Sequence, residues 1–270
     1  MDLNLRGKTA VVTGAGGAIC GEIAKALALE GADVAIWDIS LDAATRKCRE
    51  ILAIKGKAIP VQCNVLNKEE VKTALEATMD EYGNIDILIN GAGGSRKEAT
   101  TSIDLEFFDI GQEALNDVLM LNYMSAVIPC QAVGKIFAEN KEGVIINISS
   151  IAGILPLTRA IGYSNGKAAT TNFTKWLAVH MAKNYSPRIR VNAIAPGFIL
   201  TEQNRFLLED EKKGGLTERG KTIIKYVPMA RLGEPKEIAG TALWLVSDSA
   251  SFVTGAVIIV DGGFTAFSGV

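Results

Sequence analysis

Two side chains in this sequence have the types and spacing of an acid–base pair. Tyr163 and Lys167 lie four residues apart in Tyr163-Ser164-Asn165-Gly166-Lys167, which on a helix places them on one face. An ammonium beside a phenol favours the phenolate and draws down a pKa of about 10, each unit being worth about 1.4 kcal/mol. The pair therefore predicts a tyrosine that exchanges a proton near neutral pH. Ser150 precedes Tyr163 by 13 residues. It follows the apolar run Val144–Ile148, at the carboxyl edge of a predicted strand, where ligands bind in open parallel sheets. A tyrosine–lysine pair alone is a weak signal, because such pairs also decorate solvated helix faces; its weight comes from what accompanies it. The single histidine, His180, lies well over 20 Å further along the same predicted helix at about 1.5 Å per residue, and is read as structural or as part of a subunit interface.

The accompanying signal is a glycine-rich loop. The β-branched run Thr9–Thr13 empties into Gly14-Ala15-Gly16-Gly17-Ala18-Ile19-Cys20-Gly21. Small residues after a strand let backbone approach a phosphate, and the next helix offers its N-terminal N–H groups. Glycine loops also serve plain turns, but here Asp38 closes the second apolar run, 24 residues past Gly14. That is near the roughly 20 expected of a carboxylate that accepts from a ribose 2′-hydroxyl. The neighbours of Asp38 are Trp37, Ile39 and Ser40, with no Arg or Lys there or in the loop. A 2′-phosphate would meet an uncompensated carboxylate, so NAD is expected over NADP.

These residues need a frame to hold them. Short apolar runs alternate with helix-patterned segments from residue 8 to 260: strands at Val34–Trp37, Ala58–Cys63, Ile85–Ile89, Gly143–Ile148, Arg190–Ile194 and Ala256–Val260, and helices between them, including Leu115–Glu139, Tyr163–Asn184 and Pro235–Ser247. Nearly all-apolar strands between amphipathic helices predict an α/β doubly wound Rossmann fold, a parallel sheet of about seven strands covered on both faces. One domain spanning 1–270 is expected. Gly197–Val227, with the mixed-charge run Glu209–Lys213 and Gly214-Gly215, reads as a loop-rich substrate lid.

Composition excludes several classes. Lys plus Arg is 28 and Asp plus Glu is 30, for a net charge of −2, which carries no electrostatic footprint for nucleic acid or an anionic membrane. Cys20, Cys48, Cys63 and Cys130 are at least 15 residues apart, so no CxxC or other metal-ligand pattern exists, and they are expected as core residues. Trp37, Trp176 and Trp244 are expected in the core or at an interface. Met1–Lys8 lacks the apolar stretch of a signal peptide, and the uncharged run Val118–Gly134 reads as a buried helix. The expected setting is cytoplasmic.

Together the segments TGAGGAICG at 13–21, NGAG at 90–93, Asn122, NISS at 147–150, YSNGK at 163–167, NAIAPG at 192–197, RLGEP at 231–235 and TGAVIIVDGG at 254–263 resemble the short-chain dehydrogenase/reductase family over almost the whole chain. The resemblance implies Tyr163 as general acid/base, and Lys167 as the group that tunes it and holds the nicotinamide ribose. It also implies Ser150, preferred over Ser149, as the orienter of the substrate oxygen and Asn122 as support for a water relay. It further implies a cofactor held by Gly14, Gly16, Gly17, Ala18, Ile19, Asp38, Asn64, Val65, Asn90, Gly91, Ala92, Pro196, Gly197, Ile199 and Thr201, the last at the carboxamide position, and a homotetramer built through Val118–Gly134 and Tyr163–Asn184. Ala18 and Cys20 replace the later two glycines of the usual loop, and Cys20 demands extra room under the helix. Asn64 replaces the usual aspartate, and an amide can still bond an adenine edge.

The loops are similar to those of the family's D-mannonate oxidoreductase (fructuronate reductase) branch: Gly94, Lys97–Thr101, Leu200–Arg205, Leu216–Gly220 and Pro228-Met229. That likeness implies a small sugar-acid substrate whose carboxylate needs a cation. Arg205 in the lid is the first choice, Arg96 the second, and Arg159 a third candidate. Another sugar or a 3-ketoacyl thioester would keep the same chemistry, although Glu209-Asp210-Glu211 disfavours an acidic carrier partner. A non-catalytic NAD sensor would not need the Asn122, Ser150, Tyr163, Lys167 set.

Overall fold

The computed structural model describes residues 3–209 and 214–269. Seven parallel strands form one sheet in the order β3-β2-β1-β4-β5-β6-β7. They are β1 (Thr9–Thr13), β2 (Asp33–Asp38), β3 (Lys57–Gln62), β4 (Ile87–Asn90), β5 (Gly143–Ile148), β6 (Ile189–Pro196) and β7 (Val257–Val260). The connecting helices are α1 (Ala18–Leu29), α2 (Leu41–Ala53), α3 (Lys68–Tyr82), α4 (Gln112–Asn140), α5 (Ile161–Asn184), α6 (Glu202–Leu208), α7 (Glu218–Tyr226) and α8 (Pro235–Val246).

The central strands β1, β4, β5 and β6 are buried almost throughout because both sheet faces are covered, while the edge strands β3 and β7 are partly exposed. Alternate residues of β1 point opposite ways: Ala10 and Val12 pack with Ile23 and Leu27 of α1 and Ile238 and Leu245 of α8, while Val11 packs with Val71 of α3, Phe137 of α4 and Met181 of α5. Local signals end the helices where the sequence places them. Asn67 accepts from the N–H groups of Glu69 and Glu70 at the start of α3, and Gly31 and Gly83 take left-handed φ values of 88° and 74° after α1 and α3, a conformation that favours glycine. All four cysteines are free and buried. Trp37 is buried, with its indole N–H on Thr78 Oγ1 at 3.0 Å. Trp176 and Trp244 are exposed, so of the three tryptophans only Trp37 is a core residue. Among the described residues no helix is long and apolar enough to cross a membrane.

The sheet order reverses direction at β1, which has β2 on one side and β4 on the other. A crevice opens at the carboxyl ends of these two strands, the usual ligand position in such sheets. The stretch 197–227 is not the irregular loop expected. It contains α6 and α7, joined by their own apolar cluster of Leu208, Ile223 and Val227 against Phe198, Leu200, Leu232 and Phe264. Both helices are short, seven and nine residues, and the charged and glycine residues between them interrupt the apolar pattern. Residues 210–213 of the mixed-charge run lie outside the described residues.

Candidate active site

The glycine loop lies at the switch in strand order. A Cβ on Gly16 would sit 2.6 Å from Ala43 Cβ and 2.8 Å from Asp38 Oδ2, and one on Gly14, at φ +65°, would sit 2.9 Å from the Ala92 backbone. The loop therefore presents backbone where any side chain would intrude. Gly17 precedes α1 with no side-chain cap, and the first turn (Ala18, Ile19) carries no acid, so the helix N-terminus is open to an anion. Asp38 accepts from Gly16 N–H and from Ser40 N–H, each at 2.9 Å, and a carboxylate has further lone pairs for ribose hydroxyls. Asn64 Oδ1 accepts from Leu66 N–H at 3.1 Å, beside buried Val65. These residues fit a dinucleotide whose pyrophosphate lies over Gly14–Ile19.

Cys20 finds its room through Gly91. A Cβ on Gly91 would fall 1.9 Å from Cys20 Sγ. Burial pushes the Cys20 thiol up to about 12, so it acts as a packing residue. Gly91→Ala is expected to destabilise the fold by about 1–3 kcal/mol through overpacking, and Cys20→Gly on that background to restore most of it. Urea unfolding of the two singles and the double gives the coupling; additive losses would contradict the pairing.

Beyond β4, Thr13 Oγ1 accepts from the N–H groups of Gly91 and Ala92 at 3.1 and 3.3 Å. Asn90 is buried below the crevice floor, donating to Asn147 Oδ1 at 2.9 Å and Cys130 Sγ at 3.2 Å; it braces β4 against β5. Ser125 Oγ donates to Ala92 O at 2.8 Å. Pro129 lies one turn further along α4, where it leaves the Ser125 carbonyl without its helical N–H.

Asn122, Ser150, Tyr163 and Lys167 converge where α4, β5 and α5 meet. Asn122 is buried and clamps Gly94, accepting from its N–H at 3.1 Å and donating to its carbonyl at 2.6 Å. The Asn122 carbonyl takes the Thr170 hydroxyl at 2.8 Å. Gly93 separates Asn122 from Lys167: a Cβ there would lie 2.7 Å from Asn122 Oδ1 and 3.4 Å from Lys167 Nζ. Lys167 Nζ donates to Ile148 O at 2.8 Å and sits 5.7 Å from the Tyr163 ring centroid. Ser150 Oγ accepts from Ala152 N–H at 3.1 Å and lies close enough to Tyr163 to act on its phenol. Ser149 turns away, onto Thr171 Oγ1 at 2.6 Å and Lys167 O at 3.2 Å, which leaves Ser150 as the serine facing the tyrosine.

The electrostatics differ from the expectation of a lowered tyrosine. Burial raises the Tyr163 pKa, partly offset by the neighbouring Ser150 hydroxyl. Burial also lowers Lys167 from 10.5 to about 8. The ammonium faces the ring and donates to the Ile148 carbonyl, and desolvation is the largest cause of both shifts.

The rest of the predicted set is spread around the crevice. Gly197 donates to Val260 O at 2.9 Å, and a Cβ on it would meet Asp261 at 2.6 Å, so Pro196-Gly197 runs tightly along β7. Ile199 is buried, and Thr201 precedes α6 with its N–H on Asn204 Oδ1 at 2.8 Å. Arg96 pairs with Asp117 at 3.0 Å, and Arg205 pairs with Glu209 along α6. Both are exposed and engaged, so neither presents the free guanidinium expected of a carboxylate clamp. Arg159, the third candidate, is exposed with φ +78°. His180 stacks on Trp176 at 4.8 Å, remote from the site as expected.

Comparison with known proteins agrees with this geometry. A family model described as enoyl-(acyl carrier protein) reductase matches residues 14–265. The chain is 42% identical to an uncharacterised oxidoreductase of Haemophilus influenzae, over 99% of this chain and 96% of that protein. It is 36% identical to a 3-oxoacyl-[acyl-carrier-protein] reductase of Synechocystis, over 97% and 99%. The crystal structure of a candidate D-mannonate oxidoreductase from Haemophilus, with bound NAD, superimposes with a TM-score of 0.91 at 41% identity, covering 99% of this chain and 98% of that one. With the parallel sheet, the glycine loop and the Ser150–Tyr163–Lys167 cluster in place, these matches establish that the chain belongs to the short-chain dehydrogenase/reductase family.

Proposed function

We propose that the protein is an NAD-dependent oxidoreductase that reversibly reduces the ketone of a sugar acid, D-fructuronate to D-mannonate. It would act as one catalytic unit with 198–227 as the cover of its site. The observation that carries the chemistry is the gathering of Ser150, Tyr163, Lys167 and Asn122 beside the phosphate loop. The NAD bound in the Haemophilus neighbour and the carboxylate at Asp38 support the cofactor.

When bound, NADH supplies the hydride. The chain supplies the rest. Ser150 and Tyr163 donate hydrogen bonds to the ketone oxygen, and Tyr163 gives up its proton as negative charge develops there. The raised Tyr163 pKa keeps the phenol protonated and ready for reduction. The protonated Lys167 holds the nicotinamide ribose and stabilises the phenolate left behind. Asn122 fixes Gly94 and the backbone beside Lys167, and Thr201 meets the carboxamide. Asp38 accepts from the adenosine ribose, with Asn64 and Val65 at the adenine.

An NADH-oxidation screen of D-fructuronate, neutral ketoses and 3-oxoacyl thioesters tests the substrate. The proposal expects the keto-uronate to be preferred, and preference for the thioester would instead favour the reading that the Synechocystis relative supports. The Asp38 role predicts a kcat/KM ratio for NAD over NADP of about 100 or more, since a like-charge contact costs several kcal/mol. Comparable values for the two cofactors would contradict it. Exposed Trp176 and Val179 on α5 and Tyr185 just past its end support assembly of a homotetramer through α4 and α5.

A further inference from the structure

With Arg96 and Arg205 engaged by acids, the cation for a substrate carboxylate must be sought elsewhere. A cavity of about 420 Å³ opens between the 152–161 loop, α5 and the segment carrying Thr101 and Phe107. Arg159 lines it, with Ser164 and Asn165 of α5. Arg159 holds a left-handed backbone, φ +78°, an uncommon conformation for a residue of this type and one that surrounding structure must impose. Part of that constraint is visible, because Thr101 N–H donates to Arg159 O at 3.0 Å. Among the described residues the Arg159 side chain has no acid within ion-pair distance.

Two further features of the same cavity lack a partner. Ser164 Oγ is fully buried and has no hydrogen-bond partner, although buried hydroxyls are normally satisfied. The N-terminus of α5, whose first residue Ile161 lines the cavity, has no side-chain cap and no acid in its first turn. The N–H groups of a helix start and a guanidinium make a good anion site. The α7 residue Arg219 adds to the pattern: desolvation and the charge of Arg159 lower its pKa, and among the described residues no acid pairs with it either. Arg159 and Arg219 are thus close enough for one charge to act on the other, and among the described residues neither has an acid as partner.

We propose that this cavity takes the carboxylate of the substrate, with Arg159 as the principal cation and Ser164 Oγ and the open N–H groups of α5 as further donors. The inference rests on the reading of Ser150 and Tyr163 as the groups that meet the ketone. Arg159 lies four residues before Tyr163, just ahead of α5, Ser164 follows Tyr163 directly, and the cavity wall begins at Ala152, next but one to Ser150. A ketone at Tyr163 and a carboxylate at Arg159 would be bridged by a short hydroxylated chain, with Thr101 and Asn165 as partners for its hydroxyls. The chemical class is therefore an open-chain polyhydroxy keto acid.

The test is calorimetric titration of D-mannonate into NADH-loaded enzyme, a complex that cannot turn over, with D-mannitol as the neutral control. Arg159→Gln is expected to weaken mannonate binding by about 10- to 100-fold, as for loss of a charge-assisted hydrogen bond to an anion. Ser164→Ala should weaken it several-fold, and Arg205→Gln less than twofold. In steady state, Arg159→Gln should lose its preference for the keto acid over a neutral ketose by the same factor. NADH affinity and thermal midpoint, measured on each variant, confirm that the fold and cofactor site persist. Wild type that binds no mannonate, or Arg159→Gln that binds it as tightly as wild type, overturns the proposal. The oxidoreductase reading fails separately, through a wild type that reduces no ketone.

Discussion

Tyr163→Phe is expected to reduce turnover about 10²- to 10⁴-fold, the range of a lost general acid, while leaving NADH affinity close to wild type. The phenol oxygen is the atom removed. The ring and its packing remain, and the Lys167 ammonium keeps its place 5.7 Å from the ring centroid and on the Ile148 carbonyl. Ser150 would still donate to the ketone, so substrate binding should fall far less than kcat. This split separates a lost proton donor from a disturbed fold. Stopped-flow turnover and NADH titration measure the two sides, and a variant with wild-type turnover would remove Tyr163 from the mechanism.

Lys167 carries the second large effect and a defined pH signature. Its ammonium titrates near 8 in the folded protein instead of 10.5. Below that value the group is charged; as pH rises through it, the charge is lost. Because the protonated lysine holds the ribose and stabilises the phenolate, kcat/KM for ketone reduction should be level below pH 8 and decline above it. This parameter reports groups of the free enzyme. Lys167→Met should lose about 10²-fold or more and also lose the break near pH 8. Survival of that break in the variant would assign it to another group. The raised Tyr163 pKa acts in the same direction, holding the phenol as an acid for reduction and requiring higher pH for alcohol oxidation.

The frame was legible in the sequence because burial on both faces leaves a strong mark. β5 spans Gly143–Ile148 and α5 ends at Asn184, both as the apolar pattern predicts. The phosphate loop and Asp38 were legible for a local reason: close backbone approach requires small residues in sequence, and a strand end requires its acid next to it. The partnership of Cys20 with Gly91 was not legible, since it joins the first turn of α1 to the segment after β4, 71 positions apart. Arg205 beside polar residues looks available in the sequence, whereas Glu209 lies one helical turn away and pairs with it once α6 forms. The signal was present as an i, i+4 pair, but it required recognising a short helix in what looked like a loop. Arg159 could not be ranked above its rivals without knowing that its neighbourhood contains an uncapped helix start and a partnerless hydroxyl. Pair spacing gives the distance between Tyr163 and Lys167 and says nothing of desolvation, which raises Tyr163.

Isotope transfer tests the central claim most directly. With NADH carrying deuterium at the transferable C4 position and D-fructuronate as substrate, mass spectrometry of the product should find one deuterium on the newly formed carbinol carbon of D-mannonate. The Tyr163→Phe variant should yield it at a rate lower by the factor given above. A product without deuterium, or transfer by the Tyr163→Phe variant as fast as by wild type, would contradict the account.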